Sequence, residues 1–248
     1  MGRKGNSRRQ RMKLWLHMEL AAPLVSFGGE SIDAQRVTRE FPSLSMFTGL
    51  IANALGWSRQ MREEHQALQD RIVFGVARKC LTPSDRMMDY QTAKLEKGEK
   101  VWSTTGVPIG RAGGLASYVG SYQQWKEYLS DIEHSVVLRL DPQDKQPNLE
   151  EVAKAIQKPA RPLFIGRKSC LPSRPLYEGI VKSPSAFLAL QSILSEEKQD
   201  FRVIWSGREG SEGSYTKFDI SDERNWRTGL HGGSRIVYEG RIEGTKPE

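Results

Sequence analysis

The sequence has only two cysteines in 248 residues, Cys80 and Cys170, and they lie far apart. Two thiols do not make the disulfide framework of a small secreted scaffold, so a reducing, cytoplasmic setting is expected. The four histidines, His17, His65, His134 and His231, are scattered and show neither C-x-x-C nor H-x-x-x-H spacing. No metal site and no cofactor is expected from them. No apolar run approaches the roughly 18 to 20 residues that span a bilayer. The basic N-terminus is not followed by the apolar stretch and small-residue cleavage site of a secretory signal, and no membrane partner is expected. What remains, at 38% hydrophobic and 27% charged, reads as a soluble globular chain able to bury a substantial core.

Acid is scarce in particular places. The net charge is +7, but the first thirteen residues, MGRKGNSRRQRMK, hold six Lys or Arg and no acid, and without them 31 basic residues face 30 acidic ones. Residues 1–12 therefore read as a basic, disordered tail, and the average charge says little about the body. There is no Asp or Glu from Lys100 to Lys126, and none from Val152 to Tyr177, where Lys154, Lys158, Arg161, Arg167, Lys168 and Arg174 fall. Local fields of this kind, and not the average charge, hold a polyanion.

Periodicity orders the rest. KLWLHMEL (13–20) alternates and predicts a strand. SMFTGLIANALG predicts a helix capped by Ser45 and stopped at Gly56. REEHQALQDR (62–71) is a short polar helix or turn, and RIVFGVARK (71–79) a second strand. HSVVLRLD (134–141) predicts the third strand, NLEEVAKAIQK (148–158) a helix with Asn148 and Glu151 as a capping box, and PLFIG (162–166) the fourth strand. The order β-α-β-β-α-β is the ferredoxin-like, RNA-recognition-motif-like one, an α+β fold with helices on one face of an antiparallel sheet. Residues 80–121, rich in glycine and aromatics, fit no simple core element and read as a long inserted hairpin. Residues 170–248 add a helix near 184–195 and the strands DFRVIW and SRIVYEGRI, expected to form a second, smaller sheet unit.

The stretch PLFIGRKSCLP (162–172) delivers two cations and a thiol to a turn. A catalytic cysteine needs a base in hydrogen-bond reach, and no histidine is near Cys170 in sequence. GRKS lacks the upstream glycine of a nucleotide-binding P-loop, and GRAGG (110–114) lacks the G-x-G-x-x-G spacing. Main-chain N–H groups in such a turn, with Arg167 and Lys168, suit phosphates held without chemistry. Trp102, Arg111, Tyr118, Tyr122, Trp125 and Lys126 interleave aromatics and cations, a pattern suited to stacking on unpaired bases. A metal-independent ribonuclease would need a positioned acid and base, for which His17, Tyr90 and Lys126 are the candidates.

Several stretches together resemble the CasD-type subunits of type I-E CRISPR Cascade, in the RAMP superfamily. They are the first strand followed by LAAPLVSFG, then QRVTREFPSLSMFTGLIANALG, DYQT (89–92), WKEYL (125–129) and FIGRKSCLPSRPL. They cover most of residues 13–180 in the family's order. The resemblance implies one RAMP domain over 13–248, a modified ferredoxin-like fold with a hairpin "thumb" at about 80–121 and a C-terminal sub-region at about 170–248. It implies a non-catalytic subunit that binds and caps the 5′ handle of the guide RNA (crRNA). It also implies contacts with the Cascade backbone subunit, with the large PAM-reading subunit and with target DNA within the complex. Carried over by position, Arg36, Arg39, Tyr90, Arg111, Lys126, Arg167 and Lys168 are the RNA-binding candidates. Where the family often has Arg, Lys126 keeps the charge without the bidentate fork. The rival readings are an endoribonuclease that matures crRNA and a module whose thumb binds only protein. Deleting residues 1–12 is expected to leave assembly with partner subunits intact, which co-purification of the shortened chain checks.

Overall fold

The computed structural model describes residues 11–29, 31–32, 34–80, 82, 85–93, 101–102, 108–109, 122–210 and 215–245. Its backbone is a long first strand, β1 (Lys13–Val25), short strands β2 (Ser31–Ile32) and β3 (Gln35–Arg36), helices α1 (Leu44–Ala54) and α2 (Arg62–Arg71), and strand β4 (Ile72–Lys79). Strands β5 (Arg86–Ala93), β6 (Val101–Trp102) and β7 (Pro108–Ile109) lead to β8 (Tyr122–Leu140). After α3 (Leu149–Gln157) come β9 (Tyr177–Ser183), α4 (Ala186–Ile193), β10 (Phe201–Ser206), β11 (Tyr215–Ile220) and β12 (Arg235–Ile242).

One sheet carries the molecule, in the order β11-β12-β10-β4-β8-β1-β9, with β5 and β3 added along the far part of β8. All of these pairings are antiparallel except β3 on β8. Alternation along β1 explains why the sheet is covered on both sides. Leu16, Met18 and Leu20 face a core shared with Phe47 and Ile51 of α1, Leu68 of α2 and Val152 and Ile156 of α3. Trp15 faces the other way, into a second core with Val137, Trp205 and the Ala186, Ala189 and Leu190 side of α4.

The third strand runs further back than HSVVLRLD predicts. YQQWKEYLSD (122–131) belongs to the same 19-residue strand. The C-terminal strands do not build a separate sheet: β10 pairs with β4 from Phe201↔Lys79 to Trp205↔Gly75, so they extend the main one. The cap of α1 is Ser43, not Ser45, and accepts from the Met46 N–H. Pro42 keeps the residue before it out of the helical region, and the helix starts two residues earlier than expected. Two other N–H groups at this end are satisfied from far away: Leu44 donates to the Asp222 carboxylate at 2.9 Å and Ser45 to the Asp222 carbonyl at 3.2 Å. Asp222 is held in turn by two 2.8 Å bonds from Arg235. An anion at a helix N-terminus is favourable, and here it anchors the C-terminal third to α1. The capping box at Asn148 and Glu151 forms as expected.

The segment 162–166 is not a strand. The strand that pairs with β1 is 177–183 instead, Lys13↔Ser183 to Met18↔Tyr177. The reason is local. The Ile165 N–H donates to the Cys170 carbonyl at 2.7 Å and the Cys170 N–H to the Arg167 carbonyl at 2.9 Å, so the segment closes on itself and does not run extended beside β1. Gly166 has φ +85°, and a Cβ there would lie 1.8 Å from the Ser26 carbonyl oxygen. Both the left-handed backbone and the close approach require glycine. Gly166→Ala is expected to destabilise the protein by about 2–4 kcal/mol, or to displace the loop from Ser26. Urea unfolding of the variant against the parent chain checks this.

Candidate nucleic-acid interface

The candidate residues near the hairpin's base are set by strand register. β5 and β8 pair from Arg86↔Leu129 to Ala93↔Tyr122, with Tyr90 opposite Trp125 and Asp89 opposite Lys126. On the other side of β8, Gln35 lies beside Trp125 and Arg36 beside Lys126. Register partners share a face of a sheet, and successive residues alternate. Tyr90 and Trp125 therefore lie on one face, and Arg36 and Lys126 on the other.

One face carries Tyr90 and Trp125. Their rings pack at 5.1 Å with 41° between planes, and they are 50% and 36% exposed. The other carries Arg36 and Lys126 side by side, with Asp89 as their nearest register acid; the Lys126 ammonium donates to Gln91 Oε1. Arg167 joins this second face, its guanidinium 4.7 Å over the Tyr128 ring. It donates to the Glu127 carbonyl at 3.0 Å and to the Arg36 carbonyl at 2.9 Å. Arg167 thus fastens the 166–170 loop to β8 and β3, rather than standing free in solvent. Lys168 is exposed beside it. Cys170 is buried, and burial pushes its thiol up, which suits packing and not nucleophilic chemistry.

Arg39 is elsewhere. It donates to the Ser221 carbonyl at 2.7 Å, on the loop that anchors α1. Arg111 lies outside the described residues. The three ribonuclease candidates do not meet. His17 pairs with Val137 on β8, while Lys126 and the Tyr90 partner Trp125 lie at the far part of that strand, a contour of roughly 35 Å at about 3.3 Å per residue. His17 is engaged with Glu19 Oε1 at 3.1 Å.

Further along β5 and β8, toward the body of the sheet, is a charge cluster that the sequence did not reveal. Glu40 accepts from Arg78 of β4, from Arg86 of β5 at 2.8 Å and from Arg202 of β10 at 2.8 Å. Arg202 also pairs with Glu239, and Arg86 with Glu127 at 2.9 Å. Burial works against the Glu40 anion, yet the three guanidiniums outweigh it and hold its carboxyl below the usual range. Arg78 is 1% exposed and lies over the Phe41 ring. His134, fully buried between Phe27 and Phe41, donates from Nε2 to the Glu40 carbonyl at 2.9 Å. These partners sit on strands far apart in sequence, and only the residue types, isolated arginines in otherwise apolar strands such as RIVFGVARK and DFRVIW, hinted at them.

The family described as CRISPR-associated protein (Cas_Cas5) matches residues 15–238. The chain is 28% identical over 218 residues to the protein named "CRISPR system Cascade subunit CasD" of Escherichia coli (strain K12), covering 86% of this chain and 89% of that one. Among solved structures, a chain of a "CRISPR RNA-guided surveillance complex" superposes with a TM-score of 0.64 at 19% identity, over 93% of this chain and 90% of its own. A second, described as "Crystal structure of Cas protein", superposes at 0.57 with 24% identity, over 94% and 100%.

The buried cluster has a pH signature. Burial lowers His134 from 6.5 to about 4 in the folded protein. The unfolded chain takes up this proton as pH falls below about 6.5, and the folded protein resists it down to about 4, so stability falls across that window as pH drops, by up to about 3 kcal/mol. Glu40, also lowered, acts in the same direction further down. His134→Gln, which keeps a donor toward the Glu40 carbonyl, is expected to lose less stability between pH 7 and about 4.5 than the parent. Denaturant titrations at the two pH values check it; equal losses would contradict the assignment.

Proposed function

The chain belongs to the CRISPR-associated Cas5 family, and from that premise we propose that it is a non-catalytic subunit of a Cascade surveillance complex. In this reading it binds and caps the 5′ handle of the crRNA. The observation that carries it is the cationic face at the hairpin's base: Arg36 and Lys126 lie in register on adjacent strands, Arg167 is held against them and Lys168 is exposed next to it. Phosphate contacts of this kind fix position and orientation without reading sequence. The Tyr90–Trp125 pair on the reverse face supplies a flat apolar surface, for a stacked base or for the neighbouring backbone subunit. The large PAM-reading subunit and the target DNA are further partners in this reading, with base pairing by the guide supplying DNA specificity. We read the strand order β4-β8-β1-β9, with α1 and α3 on one side, as the ferredoxin-like core of a RAMP domain.

The ribonuclease reading is weaker because its candidate acid and base stand on separate parts of the sheet. Among the described residues no helix is long and apolar enough to cross a membrane, and no cluster of His, Cys, Asp or Glu could hold a metal ion.

The test mixes the purified chain with labelled repeat RNA, with and without the 5′ handle, in the presence of chelator. Handle-dependent binding with the RNA left intact is the expected result. Lys126→Glu with Arg36→Glu should weaken handle binding by about tenfold or more and lower the salt slope by about one per lost phosphate contact. Unchanged affinity would remove these residues from the interface, and a discrete cut in the repeat would replace the scaffold with a nuclease.

A further inference from the structure

A second cationic surface lies away from the hairpin's base, where the loop 221–233 sits on α2. The loop is built, not loose. Gln69 donates to the Arg224 carbonyl at 2.9 Å and accepts from the Trp226 indole at 2.9 Å; Gln66 accepts from the Trp226 main chain at 3.0 Å. Trp226 packs on His65 of α2 at 4.8 Å, and the Arg224 guanidinium lies 5.2 Å over the Trp226 ring. Arg224 is therefore held in a fixed plane by stacking. Its Nε is buried with no hydrogen-bond partner, and among the described residues no carboxylate bonds its guanidinium. His231 is bridged to Arg224 across the loop, and Arg39 reaches the same loop through the Ser221 carbonyl. Together Arg224 and His231 line an open hollow of about 670 Å³.

We propose that this hollow is a second nucleic-acid site, in which Arg224, flanked by His231 and Arg39, takes backbone phosphates separately from the cations at the hairpin's base. A guanidinium left short of acceptors is costly to bury, and a phosphate supplies the missing oxygens in the geometry that arginine matches best. Two guanidiniums and an imidazole from two segments of chain suit successive phosphates better than a single protein carboxylate. The local field agrees. After burial, the charge that acts on Arg224 is Arg59, and those on His231 are Arg224 and Arg39, so both are lowered by like charge. Two of the acids near the hollow are engaged: Glu63 pairs with Arg227 and Asp70 accepts from Gln66. Glu223 also lines it, with its carboxyl raised by burial and by Asp222, which favours the uncharged form. Arg39, grouped with the handle candidates by its place in the sequence, is assigned to this second site.

The test uses the full chain with two labelled probes, a single-stranded RNA without the handle and a short duplex DNA, titrated across salt. Arg224→Gln is expected to weaken at least one probe about threefold to tenfold and to lower its salt slope by about one, and the affected probe identifies which nucleic acid the site takes. Arg224→Lys should restore the slope. The extra affinity conferred by the 5′ handle should survive in Arg224→Gln, which separates this site from the one at the hairpin's base. Two results would overturn the proposal. One is unchanged binding of both probes by Arg224→Gln and His231→Gln. The other is a loss that Arg224→Lys does not restore and that accompanies a lowered melting temperature, which would make Arg224 a structural stack only.

Discussion

The architecture depends on one carboxylate. Glu40 precedes α1 and receives guanidiniums from β4, β5 and β10, three strands that are separated by the hairpin insertion and by most of the C-terminal half. Arg78 is almost wholly buried, and without that partner its charge would be left uncompensated at a large cost in stability. Arg86 opens β5, so the same carboxylate that stabilises the core also sets where the hairpin leaves it. Replacing the cluster with apolar residues would stabilise a sheet of this kind equally well in principle. What the charges add is a link through Glu40 between β5 and the strands β4 and β10.

The cationic face follows from that geometry. Because β5, β8 and β3 run side by side, residue parity alone decides which surface each side chain joins. A shift of one residue in the β5–β8 register would exchange Tyr90 with a neighbour from the opposite side and break the ring pair with Trp125. The turn at 166–170 contributes by reinforcement. It closes around a buried thiol, packs its glycine on Ser26, and uses Arg167 to tie β3 to β8.

Much of the fold was legible in the sequence because it is carried by local signals. Alternation located β1, the stretches RIVFGVARK and DFRVIW were read as the strands that form β4 and β10, and the capping box located α3. The failures have physical causes. PLFIG has strand composition, but a glycine at positive φ and two internal hydrogen bonds turn it into a closed loop. Ser45 and Ser43 are equally good caps in a string of letters; Pro42 and the distant Asp222 decide between them. The candidate site was half legible. Cations and aromatics could be found by composition, but the placing of Tyr90 and Trp125 on one face and Arg36 and Lys126 on the other depends on pairing across strands. The partners of Glu40 and the stack of Arg224 on Trp226 depend on contacts between residues more than a hundred positions apart in some cases, or on a loop seated on a helix, and no spacing rule encodes them.

Among the described residues, the hydrogen bonds of Arg167 go to main-chain carbonyls, those of residues 36 and 127. Every amino acid offers that oxygen, so the clasp is indifferent to what the side chains at 36 and 127 are. The two duties are thereby decoupled: position 167 is bound to arginine by the geometry of its fork, while the neighbour at 36 is at liberty to change in size and charge as the ligand changes. A lineage built on this loop can diversify what it holds without disturbing how it is assembled.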